Sequence, residues 1–287
     1  MIIWLASYPK SGNTWIRSFL NSLLFTKFGE VNLDKIKNIY QFPVRSQFKD
    51  ITSNLDDLKE LSKNWIYAQE KINKEKKVKI FKTHNGLYKI EGNSFTDTNN
   101  TLGVIYIVRD PRSVITSILY HYQKKNYNEA REFMFGENQI IGKNFLEKKK
   151  NYIDTDIITL ISSWNNHYNS WKRFPKNYLL VKYEDLIKNP INEFERIETY
   201  LSNILEVKFD KDKVKECINN NSFDNLQKIE EKQGFIEATT DKFTNKKRKF
   251  FNLGPKNIWQ NLLPEEIRNS IENKFGLEMK ELNYINK

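Results

Sequence analysis

Residues 1–25 constrain the fold of this chain more than any other part of its sequence. Ile2–Ala6 is a short apolar run, and the polar stretch Tyr8–Asn13 follows it directly. From Thr14 to Phe25 the apolar side chains recur at helical spacing and fall on one face. A buried strand, a loop and an amphipathic helix in this order are typical of the first half of a parallel β-α-β unit.

Further strands and helices alternate downstream. Val78–Phe81, Gly103–Val108 and Tyr178–Val181 are short apolar runs, and the uninterrupted apolar character of Gly103–Val108 predicts a central strand. Helices are predicted from Pro111 to about Tyr122, from Pro190 to about Leu201, over Lys211–Cys217 and over Glu265–Phe275. This alternation predicts an α/β fold with a central parallel sheet flanked by helices.

Three long stretches rich in Lys and Asn fit this pattern poorly. Long loops, either functional lids or mobile segments, are therefore predicted over Gly29–Lys77, Lys124–Asp156 and Gly234–Asn257. No linker rich in Pro, Gly or Ser divides the chain. We therefore expect a single domain over residues 1–287.

The net charge of +11 has two explanations. A solvated surface rich in Lys could account for it, or the chain could bind an anion such as a nucleotide, a polyanion or nucleic acid. The only cysteine, Cys217, excludes an internal disulfide, which suits a reducing cytoplasm. The apolar N-terminus is too short for a signal peptide or a membrane span, so we expect a cytoplasmic protein without a membrane span.

The first loop has the chemistry of an anion site. Backbone N–H groups and the positive end of a helix converge where a loop meets a helix N-terminus. Gly12 allows close approach of an anion, Ser11 and Thr14 offer hydroxyl donors, and Lys10 supplies a charge. An ordinary turn before a helix is the structural alternative. The loop is not a Walker A motif, in which the Lys follows the second glycine.

Two further motifs follow predicted strands. In Lys82-Thr83-His84 the histidine could serve as a general base near neutral pH, although a lone histidine is often structural, as we expect for His121 and His167. Arg109 ends a strand, and Ser117 follows eight residues later on the next helix. An Arg side chain suits a phosphate, and a surface pairing of Arg109 with Asp110 is the alternative.

Taken together, these motifs resemble one family. Tyr8-Pro9-Lys10-Ser11-Gly12-Asn13-Thr14-Trp15 is similar to the 5′-phosphosulfate loop of the soluble, cytosolic-type sulfotransferases, with Asn13 where Thr is common. These enzymes use 3′-phosphoadenosine 5′-phosphosulfate (PAPS), and the resemblance implies their P-loop-like nucleotide-binding fold. Lys82-Thr83-His84 resembles the family's segment with the catalytic base. Arg109 and Ser117 match the family's pair that binds the 3′-phosphate.

Weaker matches extend the resemblance to about Trp259. Tyr183 matches a tyrosine that contacts the nucleotide, and Phe223 matches a ring near the adenine, with core packing as the alternative for both. Gly254 matches the glycine of an Arg-Lys-Gly motif. The two residues before it are Asn252 and Leu253, so the basic pair is missing. The residues that could compensate are Lys249, Arg248 and Lys256.

The resemblance implies a catalytic set and a cofactor-binding set. The catalytic residues are His84, Lys10 and Lys82. The cofactor-binding residues are Lys10, Ser11, Gly12, Asn13, Thr14, Trp15, Arg109, Ser117, Tyr183, Phe223 and Gly254. With these, the chain would move the sulfuryl group of PAPS in line to a hydroxyl of a small-molecule or carbohydrate acceptor, without a metal. Ser117, if close to Lys10, would restrain that lysine until the acceptor binds.

Other functions remain open. A P-loop-type nucleotide kinase or NTPase is the main alternative, with Asp110 as the only candidate carboxylate for magnesium. A nucleic-acid binder is the second, and we expect no nucleic-acid partner. The aromatic residues that could form acceptor walls are Phe42, Phe48, Trp65, Tyr120, Tyr122 and Phe133. The family's dimer motif is not visible near the C-terminus, so the oligomeric state stays unassigned.

Overall fold

A computed structural model describes residues 1–142 and 154–286. Residues 143–153 of the predicted loop Lys124–Asp156 lie outside the described residues. The strands are β1 (Ile2–Ser7), β2 (Lys79–Thr83), β3 (Lys89–Ile90), β4 (Asn93–Ser94), β5 (Thr101–Val108), β6 (Ile140–Ile141), β7 (Thr159–Leu160) and β8 (Tyr178–Lys182). The α-helices are α1 (Asn13–Phe25), α2 (Leu58–Lys63), α3 (Trp65–Asn73), α4 (Pro111–His121), α5 (Tyr127–Phe135), α6 (Trp164–Trp171), α7 (Tyr183–Lys188), α8 (Pro190–Leu205), α9 (Lys211–Asn220), α10 (Phe223–Gln233), α11 (Trp259–Leu262) and α12 (Glu265–Glu281). Short 3-10 helices span Leu33–Asn38, Arg45–Gln47 and Gly254–Lys256.

Four strands form the main sheet in the order β2-β1-β5-β8. β1 pairs in parallel with β2, where Ala6 lies opposite Thr83, and with β5, where Ser7 lies opposite Ile107. β1 is buried along its whole length and β5 along nearly all of it, as is typical of strands covered on both faces. The predicted α/β fold with a central parallel sheet flanked by helices is confirmed.

Backbone contacts divide the chain into two compact units. The first consists of Met1–Tyr8, Ile39–Ile107 and Met134–Leu180. Its core is aromatic, because the ring of Trp4 lies 5.4 Å from the rings of Phe42 and Phe95. The buried indole N–H of Trp4 donates to Thr101 Oγ1 at 2.9 Å, which satisfies its one polar atom. The expectation of a single domain stays a prediction.

The second unit consists of Pro9–Asn38, Val108–Phe133 and Val181–Lys287. Helix α1 lies in its interior. The rings of Phe19 and Phe194 are 4.3 Å apart, and the indole of Trp15 donates to Asn221 O at 2.6 Å. The apolar face that the sequence predicts for α1 is therefore the face that packs in this unit.

The prediction of long loops is wrong for two of the three segments. Gly29–Lys77 contains α2 and α3, and Lys124–Asp156 contains α5. The side chain of Asp57 caps α2, and Asn64 stands between α2 and α3. This break divides the apolar pattern into two short pieces. Each piece is too short to show clear helical periodicity, so the sequence does not predict either helix. The sequence pattern also misses α6, α7, α10 and α11.

In the described parts of the chain, every helix is too short or too polar to cross a lipid bilayer.

Candidate active site

His84 follows β2 in the first unit, next to the end of β1. Its Nδ1 lies 2.8 Å from the main-chain oxygen of Ser7 and 3.3 Å from Ser7 Oγ. A carbonyl oxygen only accepts, so Nδ1 carries the proton in the neutral ring and Nε2 carries the lone pair. This tautomer leaves Nε2 as the basic nitrogen of His84.

Buried groups hold the main chain of His84 in place. His167 Nε2 lies 3.1 Å from His84 O and therefore donates to it, and Tyr106 OH lies 2.8 Å from His167 Nδ1. Burial lowers the pKa of His167 to about 3, so its ring is neutral at physiological pH. His167 thus has the structural role that its sequence context predicts.

Lys82 lies inside β2, because this strand continues two residues beyond the predicted end at Phe81. Its N–H donates to Tyr40 O at 2.8 Å, and its carbonyl accepts from the N–H of Phe42 at 2.9 Å. The Lys82 side chain is buried. A neighbouring segment therefore fixes the backbone of Lys82 on the edge strand.

The first loop belongs to the second unit from Pro9 onward. Lys10 has φ 67°, and Gly12, which precedes α1, has φ 103°. A Cβ on Gly12 would lie 2.5 Å from a ring carbon of Tyr183, so only glycine fits there. Ser11 Oγ is buried and finds no hydrogen-bond partner among the residues described. A left-handed non-glycine residue and an unsatisfied buried hydroxyl are both typical of ligand sites.

Arg109 connects this loop to α4. Its Nη1 donates to Lys10 O at 3.1 Å and to Ser117 Oγ at 3.3 Å. Its guanidinium carbon lies 4.1 Å from the centroid of the Tyr183 ring. Arg109 therefore contacts Lys10, Ser117 and Tyr183, and it is only 6% exposed. A buried cation at a helix N-terminus is well suited to an anionic ligand.

Asp110 binds Arg112 and not Arg109, which removes the alternative of a surface pair. Arg112 Nη2 lies 2.7 Å from Asp110 Oδ2, and the same carboxylate caps α4 by accepting the N–H of Arg112. A carboxylate engaged in this way gives no support to the magnesium site of an NTPase. Over residues 1–142 and 154–286, no group of three His, Cys, Asp or Glu side chains could hold a metal ion.

The other aromatic residues of the predicted set also lie together in the second unit. Phe223 meets Trp15 edge-on, with ring centroids 6.0 Å apart. Gly254 has φ 50° and sits against the Phe223 ring, where a Cβ would overlap ring atoms. Gln227 donates to the main-chain oxygens of Phe251 and of the residue after it, at 2.6 and 2.7 Å. The C-terminal segment is thereby held against the ring.

Two of the proposed replacements for the missing basic pair have other partners. Lys249 forms an exposed ion pair with Glu231. Arg248 lies 3.9 Å over the ring of Tyr120 and donates to Tyr120 O at 2.8 Å. Lys256 is exposed on a 3-10 helix.

Three residues outside the predicted catalytic and cofactor-binding sets contact members of those sets. Lys10 Nζ lies 4.2 Å from the centroid of the Phe250 ring. Thr14 Oγ1 donates to Glu237 at 3.4 Å. Asn257 Nδ2 donates to Ser117 Oγ at 3.3 Å. Each lies more than 100 positions from its partner, so no local pattern could reveal it.

The predicted acceptor walls are wrong for three residues. Phe42, Phe48 and Trp65 are fully buried in the aromatic core of the first unit. The rings of Tyr122 and Phe133 pack against each other in the second unit, with centroids 4.8 Å apart and planes tilted by 35°, and burial raises the pKa of Tyr122. Aromatic residues in the long segments thus serve largely to pack helices that the sequence pattern misses.

The loop before α1, with Arg109 and Ser117, is a candidate anion site in the second unit, and His84 is a candidate base in the first unit. The family model of the sulfotransferase domain matches residues 2–283. The chain therefore belongs to the sulfotransferase family, which confirms the resemblance and the expectation of a sulfotransferase.

Individual relatives are distant. Mouse sulfotransferase 1B1 is 25% identical over 265 residues, which cover 90% of this chain and 76% of the relative. Flavonol 3-sulfotransferase of Flaveria bidentis is 22% identical over 284 residues, covering 94% and 79%. The crystal structure of mouse sulfotransferase SULT7A1 complexed with PAP matches with a TM-score of 0.57 and 17% identity, covering 97% of this chain and 83% of that one. This last likeness supports the fold.

Proposed function

We propose that this protein moves the sulfuryl group of PAPS to a hydroxyl group of a small-molecule or carbohydrate acceptor. The observation that carries the proposal is the buried contact of Arg109 with Ser117 and with the main chain of Lys10. A guanidinium beside a helix N-terminal loop suits a nucleotide with two separate phosphates, which supports the proposal. The structure of mouse SULT7A1 contains PAP, which is PAPS without its sulfuryl group, and this supports PAPS as the donor of the present chain.

The residues present fit such a donor. The buried hydroxyl of Ser11 has a proton to offer, and the loop leads into the N-terminus of α1, where backbone N–H groups can bind an anion. In our proposal, Lys10, Ser11, Gly12, Asn13 and Thr14 hold the 5′-phosphosulfate. Arg109 and Ser117 hold the 3′-phosphate. Trp15, Tyr183 and Phe223 form the aromatic surface for the adenine, with Gly254 beside the Phe223 ring, since aromatic rings accept the face of a nucleobase without strict geometry.

Three residues of this chain would carry the chemistry. The donor, when bound, supplies a sulfuryl group linked to a good leaving phosphate. His84 would take the acceptor proton at Nε2, since Nδ1 is engaged by Ser7 O. The Lys10 ammonium would stabilise the negative charge that builds on the leaving phosphate. Lys82 would stabilise the sulfuryl oxygens. No residue in this scheme needs a metal, and the absence of a metal requirement stays a prediction.

A small-molecule acceptor is supported by the flavonol that names one relative. We propose the cytoplasm as the location. A sequence with one cysteine cannot form an internal disulfide, which suits a reducing compartment. The oligomeric state stays unassigned.

Two experiments test the proposal. The first is a thermal-shift titration of the full chain with PAP. The second measures transfer from sulfur-labelled PAPS to a panel of flavonols, phenols, steroids and sugars. We expect PAP to raise the melting temperature and at least one hydroxylated compound to gain label. No shift at millimolar PAP would overturn the proposal. Magnesium-dependent hydrolysis of ATP by the pure protein would instead favour the NTPase alternative.

A further inference from the structure

Asn257 is buried on the C-terminal segment and binds α4 through both ends of its amide. Its Nδ2 donates to Ser113 O at 2.9 Å and to Ser117 Oγ at 3.3 Å, and its Oδ1 accepts from Thr116 Oγ1 at 2.7 Å. Only one orientation of the amide suits these partners, because Ser113 O can only accept and must face the NH₂ group. The end of Asn257 that faces Ser117 is therefore a donor.

Ser117 Oγ thus receives two hydrogen bonds. One comes from Asn257 Nδ2 and the other from Arg109 Nη1, both at 3.3 Å. Neither nitrogen can accept, and a hydroxyl oxygen has two lone pairs, so its accepting capacity is filled. The hydroxyl proton must point to a third partner.

Within the protein, that third partner is a poor one. Ser113 O lies 3.4 Å from Ser117 Oγ, which is long for a bond between two oxygens. The same carbonyl already accepts from Asn257 at 2.9 Å. A phosphate oxygen, which only accepts and carries charge, would be a better partner for this proton.

We propose that Asn257 is a positioning residue that, with Arg109, fixes the Ser117 hydroxyl as a donor to the second phosphate of the nucleotide. This inference rests on the proposed function. Asn257 lies three residues after Gly254, on the segment that lacks the basic pair. In this proposal, part of the phosphate recognition therefore comes from the polarity of a hydroxyl group and not from charge. The same arrangement argues against the expected restraint of Lys10 by Ser117. A hydroxyl group whose two lone pairs are filled cannot accept a hydrogen bond from the Lys10 ammonium.

Calorimetric titration of the full chain with two nucleotides tests this role. PAP carries the 3′-phosphate, and adenosine 5′-phosphate lacks it. We expect Asn257→Ala to raise the Kd of PAP about tenfold, the size of one lost hydrogen bond to a charged group, and to leave the Kd of adenosine 5′-phosphate unchanged. Asn261→Ala, an exposed asparagine four residues on, is the matched control and should change neither Kd.

Two further variants separate positioning from general support. Asn257→Asp keeps the shape and can still accept from Thr116, but its carboxylate cannot donate to Ser117. We therefore expect at least the same loss of PAP affinity in a folded protein. Because Asn257 acts through Ser117, the double variant Asn257→Ala with Ser117→Ala should bind PAP no more weakly than Ser117→Ala alone.

Three results would overturn the inference while the wild type still prefers PAP to adenosine 5′-phosphate. They are an equal loss for both nucleotides, additive losses in the double variant, and faster hydrolysis of PAPS without acceptor in Ser117→Ala. A wild type that does not prefer PAP would overturn the proposed function itself, so the two failures are distinguishable.

Discussion

The two units hold their candidate functional groups in different ways. In the first, main-chain atoms orient His84: Ser7 O binds its ring, and its own carbonyl binds His167. In the second, side chains orient other side chains, as Arg109 and Asn257 do for Ser117. A group held by the backbone depends on strand register, whereas a group held by side chains depends on residues far apart in sequence.

The largest expected effect tests the group held by the backbone. His84→Ala should lower kcat by about a thousandfold, because general-base catalysis typically contributes about 10²- to 10⁴-fold. PAP should bind as tightly as to the wild type, since His84 is not among the proposed PAP-binding residues. Steady-state kinetics with any acceptor from the panel, together with PAP calorimetry, would check both. A kcat near that of the wild type would show that His84 is not the general base.

Lys10→Ala tests the cation of the loop. We expect kcat to fall about 10²- to 10³-fold, the usual cost of one group that stabilises charge in the transition state. Unlike His84→Ala, this change should also weaken PAP binding, measured by calorimetry. Lys27→Ala, on an exposed lysine after α1, is the control and should change neither quantity. Unchanged PAP affinity in Lys10→Ala would contradict the proposed place of Lys10 in the donor site.

Glycine substitutions test how tightly the second unit packs its rings. Gly12→Ala and Gly254→Ala should each lower the free energy of unfolding by about 1–3 kcal/mol more than the strain of a positive φ alone, because the new methyl group meets Tyr183 or Phe223. Urea denaturation monitors this loss. Gly92→Ala has a positive φ but nothing within 4 Å of the new Cβ, so it isolates the backbone strain of about 1–2 kcal/mol. Losses no larger than that of Gly92→Ala would show that the rings can move aside.

A pH dependence tests the frame of the first unit. His167 has its pKa lowered to about 3 in the folded protein, from 6.5 in a model peptide. The unfolded chain therefore binds a proton that the folded chain does not between these values, so stability falls as pH falls below 6.5. This contribution approaches about 1.4 kcal/mol per pH unit. Comparing urea denaturation at pH 7.5 and 5.5 should show the loss in the wild type and less of it in His167→Gln. Equal losses in both proteins would mean that other groups account for it.

Much of the fold could be predicted, because strand ends, helix starts and the first loop are local features. The strand β1 and the helix α1 begin within one residue of their predicted starts. The segment Gly29–Lys77 was harder, since Asn64 interrupts its apolar pattern and its aromatic residues, such as Trp65, are buried by distant partners. Aromatic side chains in a polar stretch indicate packing only once their partners are known.

The sequence by itself determined the family, the parallel sheet and the order of the motifs, because these depend on apolar periodicity and on short runs of residues. Only the tertiary structure decided which atoms of these motifs are donors and acceptors. The proton on His84 Nδ1 depends on Ser7 O, and the polarity of Ser117 depends on Arg109 and Asn257. Hydrogen bonds require distances within a few tenths of an ångström, and no local pattern specifies such distances between residues so far apart along the chain.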